Sequence, residues 1–174
     1  MIKKKIRDAF NEQIQHELYS AYLYLSMAAY CHSIGLDGMA QWLRVQTMEE
    51  MTHAMKFFDH IIERDGKVEL LPIKKPKITW KSPLEGFQDA YKHEQFITGR
   101  INELVKLSNA EKDYASNSLL QWFVDEQVEE EASASKVVQQ LEMVGDSGNG
   151  LLMLDRELGQ RTFTWPTAKE GEGE

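Results

Sequence analysis

The chain of 174 residues holds a single cysteine, Cys31. That excludes an intramolecular disulfide framework and suits a reducing, cytoplasmic compartment. Basic charge is also short: Lys and Arg number 20 against 28 Asp and Glu, a net charge of −8. No basic face of the size needed to neutralise phosphates is available, so a nucleic-acid partner is not expected, and cations are the partners such a charge favours. Missing too is the apolar stretch and cleavage site of a secretory signal, because the basic start, Met1-Ile2-Lys3-Lys4-Lys5-Ile6-Arg7, runs straight into an amphipathic pattern. Charge disappears altogether from Leu18 to Leu36, a length that spans a bilayer. Tyr19, Tyr22, Tyr24, Tyr30, three serines, His32 and Gly35 interrupt that run. It reads as a helix buried in a bundle, with no membrane partner.

Four long helical patterns fill most of the chain, which is enough for one domain with a sizeable core. The first covers about 6–32 and stops near Gly35, a residue free to take the left-handed conformation. The second begins after Asp37 as N-cap and stops at Gly66. The few residues between them predict antiparallel neighbours. Ser82-Pro83-Leu84-Glu85 starts the third with a capping box and a proline at the first helical position. Asn109 to Lys112 separates it from the fourth, which ends at Gly145. The segment 67–81, with its two prolines, β-branched residues and Trp80, is too long for a hairpin and reads as a crossover. A long crossover lets the second and third helices run parallel, the ferritin-like variant of a four-helix bundle. Leu151 to Leu158 predicts a short fifth helix outside the bundle, so the domain is expected over 1–159 with a flexible tail over 160–174.

Charges stand where a core should be. The 3–4 spaced stripe of the second helix, Met39, Leu43, Gln46, Glu50, His53, Phe57 and Ile61, is apolar at both ends and polar in its middle. The fourth repeats this with Leu120, Phe123, Gln127, Glu130, Ala134 and Val137. Glu17 and Glu94 take the same place on the first and third helices. Glu50-Met51-Thr52-His53 and Gln127-Val128-Glu129-Glu130 are separated by the same length of chain as His16-Glu17 and His93-Glu94. A second register, pairing Gln41-Trp42 and Glu49-Glu50 with Gln121-Trp122 and Glu129-Glu130, is longer by nearly one helical turn and keeps the acidic cluster inward. Two helices with one carboxylate each and two with an i, i+3 pair make the ligand plan of a di-metal carboxylate site.

Each ionised carboxylate taken from water costs several kcal/mol unless paired, and no lysine or arginine occupies the middle of these stripes. Multivalent cations are the simplest compensation. Oxygen ligands with one imidazole suit iron(II), manganese or zinc rather than copper(I). Glu50 and Glu130 are placed to bridge two metals, with Glu17 and His53 completing one site and Glu94 the other. Tyr24, two turns after Glu17, is a hydrogen-bond or one-electron donor beside the metals, or core filling. Glu126, Glu129 and Glu130, at i, i+3 and i+4, form with Glu49 either a third cation site or a solvated acidic face.

Over nearly its whole length the chain resembles the ferritins, specifically the prokaryotic non-haem branch. The resemblance is carried by Gln15-His16-Glu17-Leu18-Tyr19-Ser20-Ala21-Tyr22-Leu23-Tyr24-Leu25, Glu49-Glu50-Met51-Thr52-His53-Ala54, His93-Glu94 and the run from Trp122 to Glu131. It implies that Glu17, Glu50 and His53 bind a first ferroxidase iron, that Glu50, Glu94 and Glu130 bind a second with Gln127 close by, and that Glu49, Glu126, Glu129 and Glu130 hold a third. It implies that Tyr24 gives an electron to oxygen, and that Fe(II) is oxidised by O2 or H2O2 and stored as ferric mineral. The shell implied has 24 identical subunits, with residues 150–158 as the fifth helix near its fourfold axes. Haem-containing bacterioferritins keep histidine where this chain has Glu130, so haem is not expected; Met51, at the haem-binding position, decides little because non-haem relatives carry methionine there as well.

Three alternatives are weaker. A peroxidase of the rubrerythrin kind normally has a Cys-rich segment to supply electrons, against which the lone cysteine stands. A small DNA-protecting shell places its metal sites between subunits, and Lys3-Lys4-Lys5 is too small a basic arm for DNA. A bundle that merely buffers metal lacks a use for Tyr24.

Overall fold

A computed structural model describes residues 1–165. Among them five helices form and no strand: α1 (Lys4–Ser33), α2 (Asp37–Glu63), α3 (Pro83–Ala110), α4 (Tyr114–Val144) and α5 (Gly148–Leu158). None is long and apolar enough to cross a membrane. The expected all-α ferritin-like bundle with a short C-terminal helix is the fold observed.

Gly35, at φ +78°, makes the turn that folds α2 back along α1. At the other end of α2 the left-handed residue is Asp65, at φ +55°, so the helix closes at Glu63 and the amide of Gly66 bonds Ile61 O at 2.8 Å. The expected stop at Gly66 is thus shifted toward the helix. Ser82 caps α3 by accepting from the amide of Glu85 at 3.1 Å. The returning Glu85 carboxylate accepts from the amide of Lys81 at 2.6 Å, one residue ahead of the usual box partner. Asp37 is the first helical residue rather than the N-cap, a place held by Leu36. The carboxylate that satisfies this end of α2 comes from α5, where Asp155 Oδ1 accepts from Met39 N at 2.8 Å.

Neighbouring side chains fix the directions. Gln13 meets Arg100 while Tyr24 meets Glu94, so α1 and α3 are antiparallel; Gln46 meets Glu130 while Phe57 stacks on Phe123, so α2 and α4 are too. With α1 antiparallel to α2, the second and third helices run parallel. The crossover between them is strapped along α1. Asn11 binds Lys67 O and the Glu69 amide near one end, Ser26 donates to Lys77 O at 2.7 Å, and Trp80 packs on Tyr30 at the other.

The core falls into two apolar clusters. One gathers Met27, Met39, Leu43, Phe87 and Val137 with Leu154 and Leu158 of α5. The other gathers Ile6, Phe10, Phe57, Ile61, Ile101 and Phe123. α5 therefore caps one end of the bundle and contributes two side chains to its core. Of the expected tail, 166–174 lie outside the described residues, and Arg161 ahead of them is held against α2.

Candidate metal centre

Between the two clusters lies a buried polar layer. Each of the four long helices sends one carboxylate into it: Glu17, Glu50, Glu94 and Glu130, all at 5% exposure or less, joined by His53 and Gln127. They arrive together because each occupies the middle of a stripe whose apolar ends are locked into the clusters above and below. The amphipathic period thus delivers charge to one level of the bundle.

Two ligand groups are set out. Glu17, Glu50 and His53 present atoms that all lie within 4.8 Å of one another, and so do His53, Glu126 and Glu130. The first is the trio expected for one metal. In the second, Glu126 of the acidic face meets Glu130 and His53, whereas Glu129 is exposed and Glu49 is turned toward Arg161. Glu94 completes the layer from α3. Its Oε1 accepts from the Tyr24 hydroxyl and its Oε2 from Gln127 Nε2 at 3.3 Å.

Sequence reasoning missed three groups that hold these ligands. Gln13 Nε2 donates to Glu17 Oε1 at 2.9 Å, and Gln46 Nε2 donates to Glu130 Oε2 at 2.6 Å and Glu50 Oε1 at 3.4 Å. Both amides sit on the inward stripes, which is the only signal they offered. The third is Arg161, the cation absent from the stripes, which reaches the edge of the layer from beyond α5.

Burial makes the layer unwilling to ionise. It pushes Glu94 up to about 8, with the charge of Glu130 adding to the effect. Burial likewise raises Glu17 and Glu130, and raises Glu50 far above the ordinary range with Glu94 reinforcing it. For His53 burial alone would act downward, but the carboxylates of Glu126 and Glu50, one facing each ring nitrogen, win and raise it strongly. Protons and metal ions are therefore alternative ways of neutralising the layer. Glu17 Oε2 is buried without any hydrogen-bond partner among the described residues, an orphaned acceptor facing the Glu50 and His53 group. An oxygen-rich set with one imidazole and one free carboxylate oxygen fits a hard or borderline divalent ion.

A family model described as a ferritin-like domain matches residues 7–144. The chain belongs to the ferritin family. It is 42% identical over 156 residues to the bacterial non-heme ferritin of Campylobacter jejuni, spanning 90% of this chain and 93% of that one. With the bacterial non-heme ferritin of Staphylococcus aureus the identity is 39% over 163 residues, 94% and 98% of the two chains. Among solved structures, a novel open pore ferritin from the hyperthermophilic archaeon Archaeoglobus fulgidus superimposes with a TM-score of 0.92 at 51% identity, covering 93% of this chain and all of that one. An engineered closed form of the same archaeal ferritin gives 0.93. Family and fold thus agree with the ligand layer.

Proposed function

We propose that this ferritin stores iron and is a ferroxidase, oxidising Fe(II) at the intrabundle layer and depositing ferric mineral inside a shell of 24 subunits in the cytoplasm. The observation that carries the reading is the layer itself: four buried carboxylates and a histidine, with one oxygen of Glu17 orphaned and each of the four carboxylates held at one oxygen or both by a glutamine amide or a tyrosine. Glu17, Glu50 and His53 take one iron, and Glu50, Glu94 and Glu130 take the other with Gln127 beside them. Glu49, Glu126, Glu129 and Glu130 take a third. The non-heme ferritin relatives at about 40% identity support the iron-storage reading. Haem has no part in it.

Two divalent ions carry a charge that four carboxylates neutralise, which makes the layer a good host for a ferrous pair. Their two electrons reduce one O2 to H2O2, or one H2O2 to water, with two protons consumed in either case. Oxidation adds two positive charges that the fixed ligands do not match. Water bound to the ferric ions must lose protons to offset them, and the hydrolysed product leaves for the cavity. When a third Fe(II) and Tyr24, which donates to Glu94, each add one electron, O2 takes four electrons and four protons to give two waters; Tyr24 gives up its hydroxyl proton with its electron and is returned to tyrosine by a further Fe(II).

Stepwise aerobic addition of Fe(II) to the purified assembly, followed by gel filtration with iron and particle mass read together, tests this. Iron far in excess of the ligand sites within a large particle is the expected result. Iron stopping at two or three per chain would overturn storage.

A further inference from the structure

Arg161 reaches back from beyond α5 to lie over Trp42 of α2, its guanidinium 4.4 Å from the ring centroid. One nitrogen donates to Glu49 Oε2 at 2.5 Å and the other to Gln46 Oε1 at 2.8 Å. Gln46, held by its oxygen, turns its amide protons to Glu130 and Glu50. Glu49 in turn feels the charges of Glu130 and Glu126, the carboxylates grouped with His53. A single planar cation therefore stands at the edge of the acidic cluster, on a carboxylate that a third metal ion would need.

We infer that Arg161 is an internal competitor for the third cation. It holds Glu49 while the two inner ions are bound and swings out when a third ion takes that carboxylate. The inference rests on the three-site reading above. The same Glu49 oxygens serve either a guanidinium or a divalent ion, because the two cations at that distance repel. The pair is about a quarter exposed, 23% for Arg161 and 25% for Glu49, so the displaced guanidinium has water to move into. Release also frees the oxygen of Gln46 and with it the orientation of the amide that holds Glu130. Occupancy of the third site is thereby communicated both to a bridging carboxylate and to the segment after α5.

The test is an anaerobic titration of the assembled full chain with Zn(II), followed by calorimetry, for the parent and for Arg161→Ala. Alongside it, amide hydrogen exchange of residues 159–165 is followed in the parent as each equivalent is added. The third Zn(II) is expected to bind about tenfold tighter once the competitor is gone, since a charge-assisted hydrogen bond no longer opposes it. Exchange in 159–165 should accelerate at the third equivalent and not at the first two. Arg161→Lys, which keeps the charge without the fork that spans Gln46 and Glu49, should fall between the two proteins. A third ion of equal or weaker affinity in Arg161→Ala overturns the competition alone. A third ion in neither protein overturns the three-site reading and the competition with it. Should the alanine variant fail to assemble, exchange in the parent decides: no change at the third equivalent overturns the inference.

Discussion

Tyr24 is 1% exposed, and burial together with the charge of Glu94 raises its pKa far enough that it remains a donor throughout the working range. Tyr24→Phe keeps the ring and removes the proton that holds the Glu94 pKa down. The fold should lose about 1–2 kcal/mol, the cost of an acceptor left without its donor. Divalent-ion uptake should need a higher pH, and the first rapid phase of Fe(II) oxidation in stopped flow should slow. An unchanged rate together with an unchanged pH profile would leave Tyr24 a core residue. The ligands themselves were legible in the sequence because a carboxylate in the middle of an apolar stripe has few explanations, and four at matched positions have fewer. Gln13 and Gln46 lie on those stripes as well, yet an amide on a helix is ordinary and raises no alarm. Arg161 gave no signal at all. Its partners are on α2, more than a hundred residues away, and pattern along one element does not register a contact between two.

Helix ends show the same division between local and distant causes. The Ser82 cap was readable because its partner, Glu85, is three residues on. The cap of α2 was not, because its carboxylate is Asp155 of α5, while the nearby Asp37 pairs with His32 at 2.6 Å instead. The two helices approach closely through Gly38, where an added Cβ would lie 1.7 Å from Asp155 O. Asp155→Ala should lower stability by about 1 kcal/mol, the ordinary worth of an N-cap. Gly38→Ala should cost more and loosen α5 as a unit, because backbone rather than a flexible tip blocks the methyl group. Thermal melts of both variants, with hydrogen exchange over α5, compare the two. A Gly38→Ala protein melting with or above Asp155→Ala would mean that α5 docks loosely and that the cap is its main tie.

At the scale of the molecule the bundle is two apolar cores separated by a layer that destabilises it when ionised and empty. Glu94 sets the window: its pKa rises from 4.5 to about 8 on folding. Below 4.5 both folded and unfolded chains hold the proton, and the burial of a neutral carboxyl is tolerated. Between those values the folded chain keeps a proton that the unfolded one has lost, so stability falls as pH rises and levels off only above about 8. Glu17, Glu50 and Glu130 shift in the same direction, and the raised His53 likewise loses its contribution as it deprotonates. The metal-free protein should therefore melt at progressively lower temperature from pH 5 to about pH 8. Saturating Zn(II) or Mn(II) should replace the protons, raise the melting temperature most at the alkaline end and flatten the slope. Melting curves across that range, with and without metal, distinguish a layer built to exchange protons for cations from one stabilised by its own hydrogen bonds. In the second case the metal-free curve would be flat or would rise with pH, and the four inward carboxylates would owe their place to packing rather than to iron.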